Sequence, residues 1–161
     1  MILHLLVSSA CNRDDQSFQE DNNLAFKDTN LQGDWKRTAQ YISQANDSLG
    51  ILMPTEDLFV QFDYCRKDDI IRYQKGDEQT ENIYFWGIGE MACHSQISNS
   101  FREIGTWNIE KSGKLTHSYS DVDKSLIVVI LRTRKLLIRN ESGTKAPDGT
   151  VYEFTEYERV R

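Results

Sequence analysis

The sequence predicts an all-β domain, folded as an eight-stranded antiparallel up-and-down barrel behind a disordered N-terminal tether. The first observation is the alternation of apolar and polar residues in short segments, such as LFVQFDY at 58–64, which is typical of half-buried strands. The second is the turn residues between these segments, among them Ser112-Gly113. The third is that no amphipathic stretch of about 12 residues is available as a crossover helix, so consecutive strands pair locally. Such a meander closes into a barrel and thereby removes its exposed edges.

Strands are predicted wherever this pattern recurs. The segments 58–64 and 69–75 form a predicted hairpin, because a short polar stretch separates them. Glycines 87 and 89 indicate a bend or a close backbone approach in the strand at 82–91. The longest connection, 45–57, is expected to hold either a short helix or a lid-like loop. The predicted strand segments are, in order, 33–42, 58–64, 69–75, 82–91, 105–111, 114–120, 125–132, 135–141 and 150–160.

Length and composition favour one globular domain and argue against nucleic-acid binding and against a segment that spans a bilayer. The chain has 161 residues, of which 39% are hydrophobic and 27% charged, so a packed core is expected. The formal net charge is -6, and no cluster of lysine and arginine is interleaved with aromatic residues, which argues against nucleic-acid binding. The longest internal apolar run, SLIVVIL at 125–131, is too short to span a bilayer and predicts a buried strand.

The N-terminal segment predicts export. Residues 1–10, MILHLLVSSA, are apolar and then small, as in a signal peptide. VSSA followed by Cys11 resembles the lipobox of bacterial lipoproteins. This resemblance implies that Cys11 is lipidated with acyl chains such as palmitate, which would anchor the protein in the outer membrane, facing the periplasm or the cell surface. Residues 11–30 are polar and predict a flexible tether. An ordinary N-terminal strand and a non-lipidated signal are the alternatives.

A second resemblance covers residues 31–161, the predicted folded domain. Gly33-x-Trp35 opens it, Gly105-x-Trp107 recurs in mid-chain, and VYEFTEYERV forms the closing strand. In this order the motifs resemble the small lipocalin-like domains of bacterial lipoproteins. The family's terminal arginine implies that Arg159 stacks on an indole and bonds to backbone carbonyls. From the residues alone, Trp35 is a large apolar plug for a closed end, and its N–H needs an acceptor.

A ligand site is predicted from aromatic residues on two segments. If Trp86 points inward, it lines a cavity together with Phe62 and Tyr64. The alternative is that these three residues are ordinary core, because small barrels fill themselves with side chains.

No catalytic or metal-binding pattern is found in the sequence, and we expect a non-enzyme with no cofactor and no metal. His94 and His117 lack the spacing of metal ligands and of a catalytic triad. Glutamates 153, 156 and 158 on the last strand are expected to be a solvated face with Arg159 as a partner. Cys65 and Cys93 are expected to be two small buried thiols, with a disulfide as the alternative in an exported chain.

Two functions follow from this interpretation. The first is a lipid-anchored envelope protein that binds a small hydrophobic ligand inside or at the mouth of the barrel. The second is a non-catalytic module with a solid core that docks a partner protein at the envelope. A cavity of about 300 Å³ or more would favour the first. A filled interior with an exposed apolar patch would favour the second.

Overall fold

The computed structural model describes residues 24–44, 54–94, 96–147 and 149–160. It is all-β and antiparallel, as predicted, with one four-residue helix, α1 (Asp28–Leu31). The predicted signal peptide, Cys11, the first part of the tether and most of the long connection lie outside the described residues. The strands are β1 (Gly33–Gln44), β2 (Glu56–Asp57), β3 (Ile70–Gln74), β4 (Ile83–Gly87), β5 (Phe101–Ile109), β6 (Lys114–Tyr119), β7 (Val122–Leu131), β8 (Lys135–Asn140), β9 (Thr144–Ala146) and β10 (Gly149–Arg159).

The ten strands form one antiparallel sheet in the order β2-β1-β3-β4-β5-β6-β7-β8-β10-β9. β1 also pairs with β10, from Trp35 opposite Arg159 to Gln44 opposite Val151. This pairing closes eight of the strands into a ring, and the short strands β2 and β9 lie outside it. Sequential antiparallel neighbours make up the ring, and some of them are joined by tight turns, such as the β5–β6 turn at Gly113, with φ of +87°.

The eight strands of the ring match eight of the predicted segments, but the strand and hairpin predicted at 58–64 are wrong. That segment forms two 3₁₀ turns, Phe59–Gln61 and Tyr64–Arg66. The Oδ1 atom of Asp57 accepts the backbone N–H groups of Phe59 and Val60 at 2.8 and 3.3 Å. A side-chain acceptor just before the segment thus supplies the bonds that a neighbouring strand would otherwise make.

The ring has two ends. Because consecutive strands run in opposite directions, the connections between them alternate between these two ends. We call the first the Trp35 end. Residues 24–32 lie across it, and Leu24 donates its N–H to the Leu131 carbonyl at 2.6 Å. Leu31 is fully buried, while Leu24 and Phe26 pack against the same core. Residues 24–30 are therefore part of the fold rather than of the predicted tether.

Trp35 and Arg159 hold this end together. Trp35 is fully buried and donates its indole N–H to the Leu31 carbonyl at 2.7 Å. The Arg159 guanidinium lies 4.3 Å from the centre of the indole ring and donates to the carbonyls of Asn30 and Gln32, both at 2.7 Å. The stacking and the carbonyl contacts expected of Arg159 are both present. Gly33 has φ of +128°, and a Cβ there would lie 2.8 Å from the Arg159 guanidinium.

The opposite end is the disulfide end. Cys65 and Cys93 form a disulfide with a Cα–Cα distance of 5.3 Å, so the expectation of two free thiols is wrong. The bond joins the β2–β3 connection to the β4–β5 connection. Asp68 Oδ2 accepts the Met91 N–H at 3.0 Å between the same two connections, and it packs against Gly89. The close approach predicted at Gly89 is therefore made by Asp68.

The main hydrophobic core fills the ring from the Trp35 end. A smaller buried cluster, formed by Tyr41, Leu137 and Phe154, lies on the other face of β1, β8 and β10. The fully buried members of the main core with the largest side chains are Trp35, Tyr73, Leu31, Leu115, Leu131 and Leu136. None of the helices among the described residues has the length and apolar character needed to cross a membrane.

Candidate ligand cavity

A cavity of about 170 Å³ lies inside the ring, in the half nearer the disulfide end. Six strands contribute to its wall: β3, β4, β6, β7, β8 and β10. Its lining residues are Ile71, Tyr73, Tyr84, Trp86, His117, Lys124, Leu126, Ile138, Arg139, Asn140, Glu153, Thr155 and Tyr157.

Strand alternation places these side chains. On β10 the inward residues are Glu153, Thr155 and Tyr157, while Phe154 between them faces the outer cluster. On β4 the inward residues are Tyr84 and Trp86, which lie opposite Tyr73 and Ile71 of β3. The cavity wall is therefore mostly aromatic on the β3–β4 side and hydrogen-bonding on the β10 side.

His117 is the centre of the aromatic wall. Its Nε2 lies 2.9 Å from the Tyr73 hydroxyl, and its ring stacks on Tyr84 with centroids 4.4 Å apart. Burial, with a contribution from the charge of Lys124, lowers the pKa of His117 to about 4. Burial also raises the pKa values of Tyr73, Tyr84 and Tyr157. At neutral pH this wall is therefore a set of uncharged aromatic rings with hydroxyl and imidazole groups.

Glu153 is the acidic side chain of the cavity. Its Oε1 accepts the Gln40 Nε2–H at 2.5 Å and its Oε2 accepts the Asn140 Nδ2–H at 3.3 Å. Glu156 and Glu158 form ion pairs with Lys135 and Arg134 instead, at 3.0 and 2.9 Å. The expected solvated face of the last strand thus holds for Glu158 alone. Glu156 is half-buried and accepts the Tyr41 hydroxyl at 3.1 Å, while Glu153 lines the cavity. Arg159 bonds to backbone carbonyls and not to these glutamates.

The predicted ligand residues have three different placements. Trp86 lines the cavity, while Phe62 and Tyr64 do not. Phe62 and Trp86 both cover the Arg37 guanidinium, whose central carbon lies 4.7 and 5.1 Å from their ring centres. Tyr64 is 75% exposed on the surface of the disulfide end. The structure therefore brings Phe62 and Trp86 together around Arg37 and separates both from Tyr64.

Arg37 and Gln40 were missed by sequence reasoning, and a β-bulge explains why. The β1–β10 register shifts between Arg37 and Ala39. Arg37 is consequently opposite Tyr157, and Gln40 opposite Thr155, on the same inward face. Arg37 is 6% exposed, and its Nη1 lies 3.5 Å from the Gln40 Oε1. Strict alternation would place Arg37 and Gln40 on opposite faces.

Metal chemistry has no apparent site in the described part of the chain, where no group of three His, Cys, Asp or Glu side chains lies close enough to bind an ion. His117 is occupied by Tyr73 and Tyr84, and it faces the cavity rather than a nucleophile. The arrangement suits binding of a small molecule through stacking and hydrogen bonds.

Comparison with known proteins adds no assignment to this geometry. The chain matches no protein-family model, no curated protein and no solved structure.

Proposed function

We propose that this chain is a lipid-anchored envelope protein whose ring of strands is a lipocalin-like barrel that binds a small ligand with a largely apolar body. The observation that carries this proposal is the cavity of about 170 Å³ inside the ring, with aromatic walls and a few polar groups. Cavities with this mixture of apolar walls and few polar contacts are typical of small-molecule sites.

The size of the cavity sets the size of the ligand. An engineered apolar cavity of about 150 Å³ accepts benzene. The cavity of this protein, at about 170 Å³, is below the size of about 300 Å³ expected above for a ligand binder, and it suits a molecule of about one ring. Burial of such a ring against Trp86, Leu126 and Ile138 supplies the apolar contribution to binding.

The proposed anchor is compatible with an accessible ligand site. Cys11 is the proposed lipidation site, and the described part of the chain begins with Leu24 at the Trp35 end. The cavity lies in the other half of the ring. Several acyl chains on one cysteine would hold the protein at a membrane, since each buried methylene contributes about 0.8 kcal/mol.

Two experiments test the two parts of the proposal. Native mass spectrometry of the protein purified from its membrane should show a co-purifying small molecule, which the cavity-filling variant Thr155→Trp should lose. Thr116→Trp is the matched control, because Thr116 neighbours His117 on β6 and faces away from the cavity. Radioactive palmitate should label the wild type and not Cys11→Ser. Equal ligand retention by both tryptophan variants would contradict ligand binding in the cavity.

Exposed apolar residues favour the second candidate, a partner-docking module. Five large apolar side chains are exposed on connections or strand ends at the disulfide end, and they are Val60, Tyr64, Ile97, Tyr119 and Val122. These residues favour a docking role because a contiguous apolar patch at this end would be typical of a protein-binding surface. Under this alternative, Tyr64→Ser combined with Ile97→Ser should remove a cross-linked adduct in intact cells, whereas Thr155→Trp should leave it unchanged.

A further inference from the structure

We propose that the cavity selects a small organic cation, a ring-sized molecule that carries a protonated amine held by Glu153 and by the surrounding aromatic rings. This inference rests on the proposed ligand-binding function and adds the chemical class of the ligand.

The first argument is the missing counter-charge of Glu153. Its two partners, Gln40 and Asn140, are neutral amides. Within the described residues, no lysine, arginine or histidine nitrogen lies within 4.0 Å of its carboxylate, although Glu156 and Glu158 on the same strand each have a basic partner. Glu153 is half-buried, and an opposite charge nearby stabilises a carboxylate that is partly removed from water. A bound ammonium group would provide that charge.

The second argument is the fixed orientation of the carboxylate. Gln40 bonds one oxygen and Asn140 the other, so the group cannot rotate freely. An ionised carboxylate offers about four lone-pair sites, and these two bonds leave about half of them for a ligand. The two amide side chains thus preorganise Glu153 as an acceptor.

The third argument is the aromatic wall. Tyr73, Tyr84, Trp86 and Tyr157 line the same cavity as Glu153. The faces of aromatic rings attract cations, and aromatic walls recognise ammonium ligands for this reason. His117 adds no opposing charge at neutral pH, because its pKa is lowered to about 4.

The basic side chains near the cavity do not reverse its preference for a cationic ligand. Lys124 is exposed at the rim; its charge acts on His117, but its ammonium group is in no ion pair with Glu153. The Arg139 guanidinium lies 4.2 Å from the Tyr152 ring and donates to the carbonyls of Asn140 and Glu141, so it is turned away from the cavity. Arg37 lies between Phe62 and Trp86 and contacts Gln40 and Tyr157, so its charge is held beside the cavity and not on the Glu153 carboxylate.

The test compares three probes of nearly equal size: benzylamine, which is cationic, benzyl alcohol, which is neutral, and benzoate, which is anionic. Binding is measured on the full chain by calorimetry and by the change in tryptophan fluorescence, to which Trp86 in the cavity wall contributes together with Trp35 and Trp107. We expect benzylamine to bind most tightly and Glu153→Gln to weaken it by about 10- to 100-fold, as expected for a hydrogen bond to a charged group. Benzyl alcohol should bind wild type and Glu153→Gln with similar affinity.

Two further variants keep the result interpretable. Glu156→Gln removes a carboxylate from the same strand outside the cavity, and it should bind benzylamine like the wild type. Glu153→Asp retains the charge and should still prefer benzylamine to benzyl alcohol, even if Glu153→Gln fails to fold. Tighter binding of benzoate, or equal binding of all three probes, would overturn the cation inference and leave ligand binding intact. Binding of none of them would overturn both proposals.

Discussion

At the scale of single residues, His117 links the cavity to pH. The unfolded chain protonates this imidazole at its ordinary pKa of 6.5, whereas the folded protein does so only near pH 4, mainly because the ring is buried. The unfolded state therefore binds more protons between these two values. The stability associated with the neutral imidazole is complete above the unfolded pKa and is lost as the pH falls towards the folded pKa.

His117→Gln tests this linkage. When the pH falls from about 7 to about 5, the unfolding free energy of the wild type should decrease by about 2 kcal/mol because of His117. The variant should lack this loss, because glutamine does not titrate. Urea denaturation of both proteins at the two pH values gives the difference, in which the titrating carboxylates common to both proteins cancel. Parallel pH profiles would show that the imidazole titrates normally in the folded state.

Arg159 gives a second prediction at this scale. Arg159→Ala removes two charged hydrogen bonds and the stacking on Trp35, and we expect it to lower the unfolding free energy by about 2 to 4 kcal/mol. Arg134→Ala is the control, since Arg134 is exposed and its ion pair with Glu158 should contribute about 1 kcal/mol or less. Thermal denaturation followed by circular dichroism compares the two. Similar losses of stability in both variants would show that Arg159 contributes no more than an exposed ion pair.

The sequence predicted residue roles where one local rule decides them. The indole of Trp35 needed an acceptor and has one, and Arg159 stacks on it as the family resemblance implied. Glu153 was grouped with Glu156 and Glu158 on one solvated face, although strand alternation puts it on the opposite side of β10. Its true position depends on which side of β10 faces inward, and that side is set by pairing with β1 and β8. Long-range pairing of this kind leaves no local signal.

At the scale of elements, regular strands were predictable and irregular ones were not. Alternation and turn residues predicted the strands of the ring to within a few residues at most ends. The segment 58–64 also alternates, yet Asp57 turns it into 3₁₀ geometry. The bulge in β1 brings Arg37 and Gln40 to one face. Periodicity assumes an unbroken pleat, so it fails at both places.

The disulfide gives the prediction at this scale. Cys65 and Cys93 are 28 residues apart in sequence. Closing a loop of this length in the unfolded chain should stabilise the fold by about 3.5 kcal/mol. We therefore expect reductant, or Cys65→Ala combined with Cys93→Ala, to lower the unfolding free energy by that amount in urea denaturation.

The third cysteine provides the control. Cys11→Ala should respond to reductant as the wild type does, because Cys11 takes no part in this bond. Alkylation of the unreduced, denatured protein should leave Cys65 and Cys93 unmodified. Modification of both thiols, with no effect of reductant on stability, would contradict the bond.

At the scale of the whole molecule, closure of the ring was predictable and its hollow part was not. A meander of short strands with no crossover helix favours closure, and the β1–β10 pairing achieves it. The volume of the cavity depends on how the side chains of six strands fit together. A difference of one methylene group is enough to alter such packing. A sequence pattern does not predict packing at that level of detail.

Closure by neighbouring terminal strands also decides how the molecule resists force. Trp35, near the start of β1, pairs with Arg159 at the end of β10, so handles attached at residues 33 and 160 would pull the two strands apart like a zipper. Handles at residues 33 and 150 would make the same strands slide past each other and would load their hydrogen bonds together. Force spectroscopy should record a lower rupture force in the first geometry, because the hydrogen bonds between β1 and β10 then break one after another.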